Sequence, residues 1–194
     1  SRVTTAMAEA TWVGRKAYAW AVRIGEQRAD KIIAGEPLST WERLRYWVAK
    51  RLVFSNIRQV LGLDRTRNAC SGAAPISPAQ LRWFLALDIA IEEIWGQTEL
   101  GSVTSTRKGK FRFGTVGPAM PGTEVKIDTN GEIIARSDGQ FSGYLNLPEK
   151  TAETLIDGWV HTGDVGDIDE EGNLSITDRL KDIIITAGGK NITP

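Results

Sequence analysis

The stretch from Asp157 to Asp182 constrains the fold of this chain more than any other. Residues 159–168 and 173–177 read as two strands, and Asp167-Ile-Asp-Glu-Glu-Gly-Asn173 at their junction reads as an acidic, glycine-bearing hairpin. Such a hairpin brings its two ends close together. Asp164 follows His161-Thr162-Gly163 after a short apolar run, where a turn can present one carboxylate into a cleft. At the other end Arg179 offers a planar five-donor fork that keeps its charge at neutral pH. A carboxylate accepting two vicinal hydroxyls, with an arginine beside it, is a sound way to grip a ribose. An Asp–Arg ion pair that merely closes a hairpin has the same spacing, and exposed pairs stabilise little. Spacing alone leaves both readings open.

The N-terminal part predicts a helical pair. Apolar residues recur at Val3, Met7, Ala10, Val13, Ala17, Ala21 and Ile24, the stripe of an amphipathic helix. Gly35-Glu36-Pro37 breaks the pattern, and Ser39 with Glu42 forms a capping box. The second helix runs through Leu44, Val48 and Leu52 towards Val60, with Gly62 to end it. Trp41 and Trp47 are read as core residues by default, with interface anchoring as the alternative. A strand at 67–71 then ends at Ser71-Gly72-Ala73-Ala74-Pro75, and Ser77-Pro78 starts a helix through Leu81, Phe84 and Leu85. The next strand, Ala90–Ile94, delivers Trp95-Gly96-Gln97-Thr98-Glu99 at its carboxyl end. A strand–helix–strand unit of this length predicts a parallel pair with a right-handed crossover, and ligands gather at the carboxyl ends of such strands.

After Arg107-Lys108-Gly109-Lys110 the texture changes to short strands and turns. Glu124–Ile127 and Glu132–Ala135 flank Asp128-Thr-Asn-Gly131, a strong hairpin signal. Residues 111–178 therefore read as a small antiparallel β subdomain, with a further strand at 183–186. The fold class is α/β: the end of a doubly wound subdomain with an N-terminal helical pair (1–110), the β subdomain (111–180), then a hinge and the start of a C-terminal domain (181–194).

Composition narrows the function. No apolar run approaches the ~20 residues of a membrane-spanning helix. The single cysteine, Cys70, excludes an internal disulfide, fits a reducing cytoplasm and reads as a small buried hydrophobe. The net charge of zero hides an asymmetry: residues 1–70 hold 13 Lys+Arg against 6 Asp+Glu, and residues 71–194 hold 11 against 18. Basic segments can meet membrane surfaces, nucleic acid or anionic cofactors, but two well-solvated helix faces are the favoured reading. Ser1 is an implausible natural start, so the chain reads as part of something longer.

DGWVHTGD (157–164) and GNLSITDRLKDIIITAGGKNITP (172–194) resemble the adenylate-forming superfamily of acyl-CoA synthetases, luciferases and adenylation domains. SGAAP (71–75), WGQTE (95–99), GEIIARSDG (131–139) and FSGYLNLPEKTAE (141–153) extend the resemblance in the family's order over about residues 68–194. It implies that Trp95 stacks on adenine, in a place more often held by tyrosine, with Gly72, Ala73 and Ala74 along the other side of the base. Glu93 aligns with a residue that meets the adenine amino group, and Gly96 counts with the nucleotide-binding set. Thr98 resembles the α-phosphate contact and Glu99 the Mg²⁺ ligand, as suits a hard ion that prefers oxygen. Asp164 and Arg179 take the ribose. Lys181 matches the interdomain hinge and Gly188 a glycine that lets the pantetheine arm pass; Thr98, Glu99 and Lys181 are the catalytic candidates. His161 is read as structural.

The reaction implied is attack of a carboxylate on the α-phosphate of ATP, giving an acyl-adenylate and pyrophosphate, then thiol attack to give acyl-CoA and AMP. The family's Ser/Thr/Gly-rich phosphate loop and its C-terminal carboxylate-contacting lysine lie outside this sequence. The chain is therefore expected to be inactive alone and to supply the AMP-side pocket and hinge of a fatty acid–CoA ligase. The helical insertion and motif spellings resemble bacterial long-chain enzymes, with a fatty acid or other carboxylic acid, coenzyme A, and peripheral membrane contact through the basic helices as partners. A cytoplasmic location with membrane association follows, and nothing favours nucleic acid. Two alternatives stay open: an adenylation domain serving a carrier protein, and a non-catalytic nucleotide-binding module whose basic helices bind membrane or nucleic acid. No Gly-x-Ser-x-Gly elbow supports an α/β-hydrolase.

Overall fold

A computed structural model describes residues 11–107, 109–180, 184–185 and 191–192. It divides into a helical unit, within residues 1–71, 75–92 and 108–113, and a β unit of residues 72–74, 93–107 and 114–194.

In the helical unit, α1 (Trp12–Ile33) is capped by Thr11, whose side chain accepts from the Gly14 amide. The helix continues past Ile24 because nothing breaks it before Gly35, which takes φ +71°. Ala21, Ile24, Gly25 and Ala29 form its buried stripe, whereas Val13 is exposed; Val3, Met7 and Ala10 lie outside the described residues. Gly25 allows a close approach, since a Cβ there would stand 2.8 Å from the Ala86 carbonyl oxygen. The capping box forms as expected at α2 (Thr40–Ala49): the Glu42 amide donates to Ser39 Oγ, and the Ser39 amide donates to the Glu42 carboxylate at 2.8 Å. A π turn, Lys50–Phe54, leads into α3 (Ser55–Leu61), which Gly62 ends in the left-handed conformation.

The π turn changes which face is buried. Tyr46, Ala49, Phe54 and Ile57 enter the core, and the Tyr46 hydroxyl donates to the Ala86 carbonyl at 3.1 Å. Leu44, Leu52 and Val60 are exposed, and Trp41 and Trp47 are 65% and 61% exposed rather than core. Seating Tyr46 and Phe54 with their rings 5.7 Å apart turns both indoles outward. α4 (Pro78–Ala86) packs Leu81, Leu85 and Ala86 inward, capped by Ser77 with proline in its first turn as expected. The Asp88 carboxylate pairs with Arg28 at 2.8 Å and with Lys50.

A three-stranded sheet runs in the order β1-β2-β3, with β1 at Ala69–Ser71, β2 at Ile91–Gln97 and β3 at Gly101–Ser105. Cys70, the central residue of β1, is exposed, contrary to the buried reading: the strand turns its two outer residues inward. β2 runs three residues beyond the expected end, so Trp95, Gly96 and Gln97 lie within the strand, paired antiparallel with β3.

The five-stranded antiparallel sheet is ordered β4-β5-β7-β6, with β8 also on β7. β4 (Thr123–Ile127) and β5 (Glu132–Ser137) form the expected Asn-Gly hairpin, in register from Thr123↔Ser137 to Ile127↔Ile133. α5 (Pro148–Thr154) and β6 (Leu155–Ile156) precede β7 (Trp159–Ile168), whose far half pairs with β8 (Leu174–Arg179). Ile133, Ala135, Val160 and Leu174 join Trp95, Leu100 and Val103 in the core of the β unit. β9 (Ile184–Ile185) and β10 (Asn191–Ile192) pair antiparallel.

Candidate functional site

The β7–β8 hairpin sets Asp164 directly across from Arg179. Its loop is tied by Asp169, whose Oδ1 accepts the amides of Glu171 and Asn173 at 2.9 Å each. The Asp164 carboxylate is only 6% exposed and collects three N–H donors. Arg179 Nε reaches Oδ1 at 3.1 Å, while Trp95 Nε1 at 3.0 Å and Gln97 Nε2 at 3.1 Å share Oδ2. Those bonds offset the cost of burying a charge. Arg179 is different in kind, because its side chain is 67% exposed and can leave the pair cheaply. A carboxylate offers about four lone-pair sites, so incoming hydroxyls compete chiefly with Arg179.

Trp95 is 7% exposed and packs among Leu100, Val103, Ile133 and Val160. Its indole edge serves Asp164, and stacking on a base would require a ring face that this packing covers. Gly96 has a structural reason to lack a side chain: the β2–β3 ladder shifts between Trp95 and Gly96, and a Cβ at Gly96 would lie 2.0 Å from the Gly101 carbonyl oxygen. Gly72 likewise runs beside β2, where a Cβ would stand 3.0 Å from the Ile94 carbonyl oxygen. Gly72, Ala73 and Ala74 form an exposed tight turn, with the Ala74 amide donating to the Gly72 carbonyl at 2.8 Å and Ala73 at φ +64°.

Glu93 is half-buried, and burial pushes its carboxyl above the ordinary range. Its backbone is tied to Thr106, whose hydroxyl accepts the Glu93 amide at 2.7 Å. Thr98 is exposed in the turn after β2. Glu99 accepts the Tyr144 hydroxyl at 2.6 Å, and that bond holds the Tyr144 hydroxyl above the usual phenol range. Tyr144 is in turn fixed by its amide, which donates to Thr151 Oγ1 at 2.9 Å. Lys181 and Gly188 lie outside the described residues.

The structure thus brings Trp95, Asp164 and Arg179 together and joins Glu99 to the FSGYLNLPEKTAE run. Gln97 and Tyr144 were missed as participants. Gln97 carried a signal, since two residues after Trp95 on a strand it shares that side chain's face. Tyr144 lies 45 positions from Glu99, and nothing local pairs them.

The family model described as AMP-binding enzyme matches residues 22–145. A Mycobacterium tuberculosis protein provisionally named fatty-acid–CoA ligase fadD11 is 44% identical over 182 residues, 93% of this chain and 32% of that protein. The Xenopus laevis protein named long-chain-fatty-acid–CoA ligase ACSBG2 is 41% identical over 194 residues, covering 96% of this chain and 26% of its own length. Among solved structures, ATP-bound MatB from Rhodopseudomonas palustris aligns with a TM-score of 0.62 at 34% identity, over 71% of this chain and 29% of that one. The chain spans about a third or less of the length of these relatives.

Proposed function

The chain belongs to the AMP-binding enzymes, and from that premise we propose that its full-length protein is an ATP-dependent long-chain fatty acid–CoA ligase. The single observation that carries the reading is the Asp164 carboxylate, held by Trp95 and Gln97 with a displaceable Arg179 beside it. That is the arrangement a ribose diol needs. In the first half-reaction a fatty acid carboxylate oxygen attacks the α-phosphorus of ATP and pyrophosphate leaves. In the second, a thiol attacks the adenylate carbonyl and AMP leaves. Such chemistry needs positioning and charge stabilisation more than a covalent nucleophile.

In this reading Asp164 and Arg179 hold the ribose, and Gly72, Ala73 and Ala74 lie along the base with Glu93 towards its amino group. Trp95 faces adenine only if its ring leaves part of its present packing. Thr98 meets the α-phosphate. The oxygen donors of Glu99 and substrate phosphate suit Mg²⁺, which would neutralise phosphate charge when bound. Tyr144 keeps the Glu99 carboxylate aimed. Lys181 serves as the hinge and Gly188 borders the pantetheine arm. The names of the relatives favour coenzyme A over a carrier protein as thiol acceptor. ATP–pyrophosphate exchange by the full-length protein across a panel of carboxylic acids tests this, with strongest exchange expected for long-chain acids. No acid-dependent exchange with any acid would reject it.

Peripheral contact with a cytoplasmic membrane surface is a second, compatible reading, supported by exposed Trp12, Trp41 and Trp47 together with exposed Arg43 and Arg51 on the helical unit. Among the described residues no helix is long and apolar enough to cross a membrane. Co-sedimentation with phosphatidylglycerol vesicles should fall when Trp41 and Trp47 are replaced by serine, and unchanged binding would dismiss this reading.

A further inference from the structure

We propose that Glu132 is a positioning residue for the nucleotide ribose, stapling a bulge of β7 so that Asp164 points into the site; this rests on the ribose reading of Asp164. The β5–β7 ladder is regular through Ala135↔Val160 and Ile134↔His161 and resumes at Glu132↔Val165. Ile133 alone therefore spans Thr162, Gly163 and Asp164, so β7 carries two residues more than its partner. Extra residues in a ladder leave backbone polar groups that must be satisfied some other way.

Specific groups satisfy those on either side of Asp164. The Gly163 amide donates to Glu132 Oε1 at 2.9 Å, and the Asp164 amide to Thr162 Oγ1 at 3.1 Å. The Thr162 hydroxyl donates to the Ile133 carbonyl at 2.6 Å, and the Gly163 carbonyl accepts the Leu180 amide at 2.8 Å. Gly163 sits at φ +73°, a conformation that glycine adopts at no cost. Glu132 itself is 6% exposed, and its second oxygen lies 2.8 Å from His161 Nδ1.

A buried carboxylate is expensive unless it is fully bonded, so its presence beneath this bulge calls for a purpose. Both of its oxygens grip the chain immediately before Asp164, at residues 161 and 163. Asp128 brings a third potential ligand atom to within 4.8 Å, but with both Glu132 oxygens engaged by protein donors the group is built as a staple and not as a metal cage. His161, structural by its sequence context, fixes the Glu132 carboxylate in the orientation that meets the Gly163 amide.

The test compares dissociation constants for ATP and 2′,3′-dideoxy-ATP in the full-length protein by calorimetry. The wild type should prefer ATP. Glu132→Ala should weaken ATP by about tenfold, as expected for a lost hydrogen bond to a charged group, while leaving dideoxy-ATP unchanged. Glu132→Gln should recover most of the loss, because its amide oxygen still accepts from Gly163. Equal losses for both nucleotides, or none, would overturn the proposal. If Glu132→Ala fails to fold, His161→Phe carries the same test. It should lower the preference for ATP several-fold, and an unchanged preference refutes the staple. A wild type that does not distinguish the two nucleotides would instead refute the ribose reading of Asp164, and the staple's role with it.

Discussion

Replacing Trp95 separates two roles that its motif runs together. The ring is 7% exposed within the β-unit core, and its Nε1–H donates to the buried Asp164 carboxylate. Trp95→Ala removes the whole buried ring, and substitutions of that kind cost about 3–5 kcal/mol. Trp95→Phe keeps much of the apolar body and deletes the donor, and a lost hydrogen bond to a charged group costs about 1.5–3 kcal/mol. The phenylalanine variant should fall in the lower half of that range, because Gln97 and Arg179 still serve Asp164. A ring that only stacked on a base from an exposed position would behave differently. Trp95→Ala would then leave stability almost untouched and weaken ATP by about 0.5–1.5 kcal/mol, a several-fold effect. Urea unfolding of the 194-residue chain, followed by circular dichroism, gives the stability; calorimetric titration of ATP into the full-length protein gives the affinity. The packing predicts the order Trp95→Ala, Trp95→Phe, wild type in rising midpoint. A loss of less than about 1 kcal/mol for Trp95→Ala, far below the usual cost of emptying a core site, would refute the reasoning.

Arg179→Ala should cost less stability than Trp95→Phe, since the Arg179 side chain is 67% exposed and Trp95 and Gln97 still serve the buried Asp164 carboxylate, yet raise the Michaelis constant for ATP in the full-length protein; a larger stability loss than that of Trp95→Phe would contradict this geometry. Acid should loosen the helical unit. Burial pushes the Asp88 carboxyl up, but the Lys50 hydrogen bond and the charges of Arg28, Lys50 and Arg58 outweigh it, so it lies below its ordinary 3.8. Hydrogen bonds from Lys31 and Ser39 lower Glu42 from 4.5 to about 2. Depressed carboxyls contribute stability above their unfolded pKa that is lost as pH falls through the folded one. The helical signal should therefore weaken to urea between about pH 4.5 and 2, less so in Asp88→Asn; a midpoint that does not move with pH would disprove this. On the proposed hinge role of Lys181, Lys181→Pro in the full-length protein should spare acid-dependent pyrophosphate release and slow thioester formation from preformed adenylate, because proline fixes φ. Equal loss in both half-reactions would mean general damage.

The β7–β8 hairpin was legible because its cues are local, a short loop with Asp169 and Gly172 to turn it; the facing of Asp164 and Arg179 also needs the register shift between Val165 and Gly166, without which Asp164 would meet Asp178. The Asn130-Gly131 hairpin was legible for the same reason. Helix existence was readable and helix orientation was not. The apolar residues of α2 and α3 lie on more than one face, and only the π turn decides that Phe54 is buried while Leu52 is exposed. Trp41 and Trp47 were misplaced on the same account. Cys70 illustrates the limit of residue-type averages, because a three-residue strand has one residue facing away from the other two. Glu132 was hidden for a further reason: it acts through a bulge in a non-local ladder, and no periodicity announces where a ladder will slip.

The π turn at Lys50–Phe54 also bears on how the helical segment tolerates a change of length. Phe54 follows Tyr46 by eight positions, and in an uninterrupted α-helix that spacing would leave the two side chains about 80° apart around the axis. The wider turn absorbs the surplus residue, and the Lys50 carbonyl accepts both the Ser55 amide and the Ser55 hydroxyl, the latter at 2.8 Å. The two rings meet as a result. A chain one residue shorter here could run as plain α-helix and still bring the same two aromatics onto the same face. The residue count of this segment is thus negotiable by one without moving the core. A one-residue gap at this place, between this chain and a relative, records a change of helix type rather than a change of architecture.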